Sequence, residues 1–273
     1  GGSFTAIDRD YMIELLSSAQ EFIGENGFKG IRISTRPDAV DGEICDILEK
    51  YHVTAVELGA QSTNDKVLAM NRRGHTREDI FRSARLLKER GFELGLQMMT
   101  GLYGSNDEDS IGTARDLISL SPDTARIYPT VVIENTELAE LYRNGEYRPQ
   151  TPEEAAVLCA KILPMFERAG IKVIRLGLHS GGDVEGSFVA GAYHPALREM
   201  CEGHIYFDII NRALSGKEKG KYIIYVAPRE VSKASGQRRC NIEKLRELGY
   251  ECRIKENAAL SARDITLEKV NLL

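Results

Sequence analysis

Apolar residues recur at Met12, Leu15, Leu16, Ala19, Phe22 and Ile23 behind Asp8. This is the three-four-seven spacing of an amphipathic helix opened by an acidic N-cap. A short β-rich run at 30–34 follows, and the turn Thr35-Arg36-Pro37-Asp38 leaves it. Ile44, Ile47, Leu48 and Tyr51 form the next helical face, and Val53–Leu58 the next strand. The alternation continues with a helix over 76–90, a strand over 92–99, a helix opened near Asp107 and a strand-like run over 124–132 broken at Tyr128-Pro129. A short helix near Leu138–Tyr142, a long one from Pro152 and a strand over 171–178 complete the series. Strands alternating with helices are the signature of βαβ units and a parallel sheet, with every strand C-terminus at one face. The fold class expected is therefore α/β, with a barrel-like core over 1–180. Beyond it the pattern changes. A glycine-rich stretch to Gly191 reads as a long loop. A helix at 195–214, a strand at 221–226, a helix at 241–248 and a strand at 251–255 then form a small α+β extension over 181–273.

Composition narrows the picture. At 273 residues with 42% hydrophobic and 28% charged positions, the chain has the make-up of one barrel-sized globular domain with an appendage. No apolar run reaches the length of a membrane span, so no membrane partner is expected. The five cysteines, at 45, 159, 201, 240 and 252, have no metal-binding spacing. Their odd number and wide scatter point to reduced, buried structural thiols in a cytoplasmic protein. The net charge of −5 is unevenly spread: 212–255 holds 12 Lys and Arg against 5 Asp and Glu, a local +7. Such a segment is either a solvated surface or a meeting place for a polyanion such as RNA.

In a parallel α/β fold, residues just past the strand C-termini line the ligand crevice. Here they are Ser34, Thr35 and Arg36; Glu57 and Gln61, with Arg72 and Arg73 further on; Gln97 to Thr100; Tyr128; and His179. Arginines in such a set pair with carboxylate or phosphate. His75 and His179 are either general bases or polar surface. The set contains no Ser-His-Asp arrangement and no carboxylate dyad, which leaves the catalytic residues unassigned and points to chemistry carried by a cofactor.

Several segments occur in a telling order: Gly1-Gly2-Ser3-Phe4-Thr5, Arg32-Ile33-Ser34-Thr35-Arg36-Pro37-Asp38, Glu57-Leu58-Gly59-Ala60-Gln61-Ser62, Asn71-Arg72-Arg73-Gly74-His75-Thr76, Met98-Met99 and Ile127-Tyr128-Pro129. Over residues 1 to about 200 this series resembles radical S-adenosylmethionine (SAM) enzymes of the Elongator catalytic-subunit branch. The resemblance implies a partial TIM-type (β/α)6 barrel and reductive cleavage of SAM at a [4Fe-4S] cluster. It places Gly1 and Gly2 at the SAM amino group, with Ser34, Arg36, Gln61, Arg72, Arg73 and Gln97 around the cofactor. Tyr128 falls near the SAM ribose or the substrate, and Glu57 becomes a polar partner inside the barrel. Relatives often carry Glu at the position of Ser34, and an acid or His at that of Gln97.

The family holds its cluster with a CxxxCxxC loop, and this sequence contains none, so no metal ligands are assigned. The expectation is a barrel lacking its first strands, its cluster-binding segment and the acetyltransferase domain of the Elongator subunit. Such a chain is inactive alone and self-associates through an exposed barrel edge. Modification of RNA or another large substrate is the leading reading. A non-radical barrel enzyme with a phosphate ligand and a non-catalytic binding module are the alternatives.

Overall fold

A computed structural model describes residues 2–179 and 186–270, which divide into two compact units, Gly1–Thr151 with Ile162–Tyr193, and Pro152–Lys161 with His194–Leu273.

The first unit is built by the expected alternation. Asp8 caps α1 (Arg9–Gln20), accepting from the backbone N–H groups of Asp10 and Tyr11, and Met12 and Leu16 face inward. The strands β1 (Ile31–Thr35), β2 (Val53–Gln61), β3 (Glu93–Thr100) and β4 (Thr124–Pro129) alternate with α2 (Gly42–Lys50), the short α3 (Asp65–Met70), α4 (Arg77–Glu89) and α5 (Asp107–Ser119). Next come β5 (Val131–Ile133), α6 (Glu137–Arg143), α7 (Pro152–Arg168), whose first residues to Lys161 belong to the second unit, and β6 (Lys172–Leu176). The sheet has the order β1-β2-β3-β4-β6, every pairing parallel. Sequential order with helical crossovers is the arrangement of an open segment of a (β/α) barrel. Leu58, Leu94, Leu96, Ile80 and Leu87 are fully buried between sheet and helices.

The glycine-rich stretch is not loop throughout. Residues 180–185 lie outside the described residues, but β7 (Phe188–Gly191) pairs antiparallel with β5. The apolar Val131-Val132-Ile133 edge supplies the backbone partner, and Val189 and Ala190 pack on Val132, Ala139 and Tyr147. That partner lies more than 50 residues away in sequence, beyond any local pattern.

In the second unit α8 (Leu197–Leu214), α9 (Val231–Ser235) and α10 (Cys240–Glu247) accompany a sheet of order β10-β8-β9. Here β8 (Gly220–Val226) pairs parallel with β9 (Tyr250–Glu256) and antiparallel with β10 (Ile265–Lys269). Its core joins Tyr206, Ile210 and Leu214 of α8 to Tyr222, Ile224, Val226, Leu245 and Tyr250. Four cysteines are buried as expected; burial pushes the Cys159 thiol up to about 12 and Cys252 up to about 11, which keeps both unreactive. Cys240 departs from the expectation: it is exposed, because it opens α10 on the solvent side. Among the described residues, no helix is long and apolar enough to cross a membrane.

Candidate functional site

At the C-terminal end of the parallel sheet lies a cavity of about 520 Å³, lined by residues of β1, β2, β3 and the turn between α3 and α4. Of the residues singled out in the sequence, it gathers Gly2, Ser34, Arg36, Gln61, Arg72, Arg73 and Gln97. Gly1 lies outside the described residues. Tyr128 does not line this cavity; its hydroxyl accepts from Arg126 Nη1 at 3.3 Å. His179 is exposed and also absent from the lining.

The cavity wall is fixed from its edges. Thr5 N–H donates to Thr35 Oγ1 at 3.2 Å and the two hydroxyls lie 2.7 Å apart, which ties the N-terminal segment to the end of β1. That bond brings Gly2 and Ser3 to the cavity. Gln61 ends β2 at an irregularity in the pairing: Gly59 opposes Gln97, and Gln61, not Ala60, opposes Met98. The extra residue is a β-bulge, a device that redirects a side chain. Gln61 has φ +64, and Ser62 N–H donates to Ala60 O at 2.7 Å, closing a three-residue turn around it. A left-handed non-glycine residue costs about 1–2 kcal/mol and persists only where its surroundings hold it. The side chain then folds back over Gly59, where a Cβ would stand 2.6 Å from Gln61 Nε2. The bare α-carbon of Gly59 gives the amide room to lie there.

The three arginines differ in charge balance. Arg36 Nε and Nη2 each donate to Asp38 at 2.7 Å, and this bidentate pair raises the Arg36 pKa. Its guanidinium lies against Gly74, where any β-carbon would collide with it. Arg72 is exposed and paired with Glu137 at 2.7 Å. Arg73 is partly buried and faces no carboxylate partner among the described residues; burial, and then the neighbouring charge of Arg36, lower its pKa. No Asp or Glu lines the cavity among the described residues. An arginine held without a counter-ion beside a second arginine is a preformed anion site.

His75 was open in the sequence between general base and polar surface; it is buried at the cavity wall. It is 6% exposed, its Nε2 lies 3.1 Å from Ala60 O, and its buried Nδ1 has no partner. Ser3, Thr35, Gly59 and His75 complete the lining; Thr35 was expected there from its place past β1, and the other three stood in segments that the sequence had singled out.

Beneath the cavity, Glu57 is 1% exposed and its Oε1 lies 2.7 Å from Arg126 Nε, an ion pair between β2 and β4. The intervening strand β3 presents Gly95, where a Cβ would sit 3.1 Å from Glu57 Cγ and 3.2 Å from Thr124 Oγ1. The missing side chain lets the pair close across β3. Ser34 Oγ approaches Glu57 Oε2 at 3.5 Å. Glu57 is thus a buried partner inside the barrel sheet.

The model of the radical SAM superfamily matches residues 1–117, and that of the radical SAM C-terminal domain matches residues 122–206. The chain belongs to the radical SAM superfamily. Within it, the chain is similar to the tRNA uridine(34) acetyltransferase of Methanocaldococcus jannaschii, 31% identical over 191 residues that make up 62% of this chain and 35% of that protein. It is also similar to human Elongator complex protein 3, 31% identical over 192 residues, 60% of this chain and 34% of that one. The chain spans about a third of the length of these curated relatives. Among solved structures, the archaeal Elp3 of Methanocaldococcus infernus with an N-terminal deletion superposes with a TM-score of 0.63 at 26% identity, over 78% of this chain and 53% of that one. Coproporphyrinogen III oxidase of Escherichia coli shares the fold, with a TM-score of 0.52 at 18% identity over 62% of this chain and 39% of that one. The incomplete TIM-type barrel expected from the sequence is thus the fold of the first unit.

Proposed function

We propose that the cavity at the strand ends binds SAM and that the chain is the core of a radical SAM enzyme acting on RNA. The observation that carries the SAM reading is Arg73: a partly buried guanidinium without a carboxylate partner among the described residues, in a cavity whose other arginines are already neutralised by Asp38 and Glu137. SAM brings a carboxylate suited to Arg73, and hydroxyl and amino groups suited to Ser34, Gln61, Gln97 and the backbone near Gly2. A volume of about 520 Å³ lies in the range of small-molecule sites. In this reading Arg36 orders the wall and Arg72 borders the mouth, while Tyr128 and Arg126 belong to the polar interior beneath.

The superfamily pairs SAM with a [4Fe-4S] cluster, which supplies the electron for reductive cleavage. The residues present do not fit that cluster: no CxxxCxxC occurs in the sequence, and no group of three or more His, Cys, Asp or Glu among the described residues could hold a metal.

Thermal shift tests the SAM reading. SAM is expected to raise the melting temperature and Arg73→Ala to abolish the shift, while Arg72→Ala leaves it nearly intact. The cavity's three arginines, with no acid among the described lining residues, favour one second reading, a phosphate ligand. Stabilisation by inorganic phosphate and none by SAM would select it. The RNA half rests on the relatives' tRNA chemistry and on the basic segment 212–255. Retention of tRNA that weakens with salt supports it, and salt-independent or absent binding removes it. Self-association belongs to the same reading: β1 is the terminal strand of its sheet, and Tyr11, Phe22 and Phe28 are exposed on the segment before it. Sedimentation velocity reading a monomer at micromolar concentration would sink that part.

A further inference from the structure

We propose that His75 is a positioning residue that pins the strained turn presenting Gln61 to the cavity, so that ligand affinity depends on a side chain acting through another. The inference rests on the SAM reading of this cavity. Gln61 sits at φ +64 at the end of a bulged strand. Left to itself, an L-residue in this conformation relaxes to negative φ, and its side chain then leaves the cavity. Two donors oppose that relaxation by converging on one carbonyl. Ser62 N–H reaches Ala60 O at 2.7 Å, and His75 Nε2 reaches the same oxygen at 3.1 Å.

A carbonyl oxygen only accepts, so Nε2 carries the proton in this bond. Nδ1 is buried and without a protein partner, an arrangement with a cost that the fold tolerates here at a cavity wall. The His75 backbone is itself delivered by Gly74, at φ +74 under the Arg36 guanidinium, and by the cap of α4 at Thr76. The turn carrying Arg73 therefore also holds Gln61. The two polar contacts offered to a ligand are set by one piece of chain, although they stand at opposite ends of α3.

Isothermal titration of SAM into the full chain tests this with the wild type, His75→Ala, Gln61→Ala and the double variant. His75→Ala is expected to weaken SAM binding by about tenfold, and to add less than about twofold once Gln61 is already Ala. His75→Gln, whose terminal amide nitrogen reproduces the reach of Nε2, should stay within about threefold of wild type, whereas the shorter His75→Asn should resemble His75→Ala. Melting temperatures recorded alongside separate folding from affinity, and the Gln and Asn pair keeps the test open if the alanine variant fails to fold. No heat from wild type removes the SAM reading itself. Binding that His75→Ala leaves unchanged, or weakens equally in both backgrounds, or that Asn rescues better than Gln, overturns the role of His75 alone.

Discussion

The two units begin their helices differently. In the first, all of α1 to α6 start from a side-chain cap: Asp8, Asp41, Asn64, Thr76, Asn106 and Thr136 each accept a backbone N–H of the first turn. Two of these, at Thr76 and Asn106, are complete capping boxes. In the second unit, α8, α9 and α10 start at Ala196, Glu230 and Arg239, and none is capped by a side chain. In a parallel βα unit, a helix that follows a strand starts near the strand's C-terminal end, the face where the cavity lies. Local hydrogen bonds there fix the turns that carry Gln61, Arg73 and His75. The second unit relies instead on contacts between elements. Glu202 of α8, 5% exposed, takes Arg198 Nε at 3.1 Å and Lys233 Nζ of α9 at 2.7 Å, while Tyr206 donates to Glu230 at 2.7 Å. Side-chain caps thus set the starts of α1 to α6, and no such cap sets those of α8 to α10.

The largest effect that would probe this contrast is in the first unit's interior, where a non-local pair does exist. Arg126→Met leaves Glu57 buried and uncompensated and should cost about 3 kcal/mol in chemical denaturation. A loss under about 1 kcal/mol would mean that local specification alone carries the sheet. Next in size is the pH response of the second unit. Burial opposes ionisation of Glu202, but Lys233 and Arg198 outweigh it and its pKa is lowered. A carboxylate depressed in the folded state stabilises above its unfolded pKa, and that stability is lost as pH falls through the folded value. Glu202→Gln should therefore lower the melting temperature at neutral pH, with the gap closing below about pH 4. A gap that persists into acid would break the assignment. Thr76→Ala removes one capping box and should cost about 1 kcal/mol, read by urea denaturation. Smallest is the reverse change in the second unit. Ala196 has φ −101 and ψ 24, outside the extended geometry of a capping residue, so Ala196→Ser should gain less than about 0.5 kcal/mol.

The contrast also explains what could be read along the chain. Asp8 announces α1, and Thr76 and the acidic run from Asp107 announce α4 and α5, because caps and apolar spacing are local signals. α9 escaped notice because its five residues carry neither a cap nor a full apolar period. β10 escaped for a related reason: its alternation is short, and its pairing with β8 spans about 40 residues. In the cavity, Arg36, Gln61, Arg73 and Gln97 were visible as polar residues past apolar strands. His75 was not separable from surface, since its burial depends on a bond to Ala60 across α3.

By itself the sequence determined the alternation of elements, the parallel sheet and most of the residue types at the strand ends, since these follow from spacing and local hydrogen-bond chemistry; the superfamily was legible only through the resemblance of its ordered segments. The tertiary structure decided the charge balance. Asp38 and Glu137 neutralise Arg36 and Arg72, Arg73 faces no carboxylate among the described residues, and Gly95 opens the way for Glu57 to reach Arg126. It also decided the aim of Gln61, because a left-handed residue holds only where distant groups converge on it. Partners of a charge are chosen by distance in space, and Glu137 stands more than 60 residues from Arg72 along the chain.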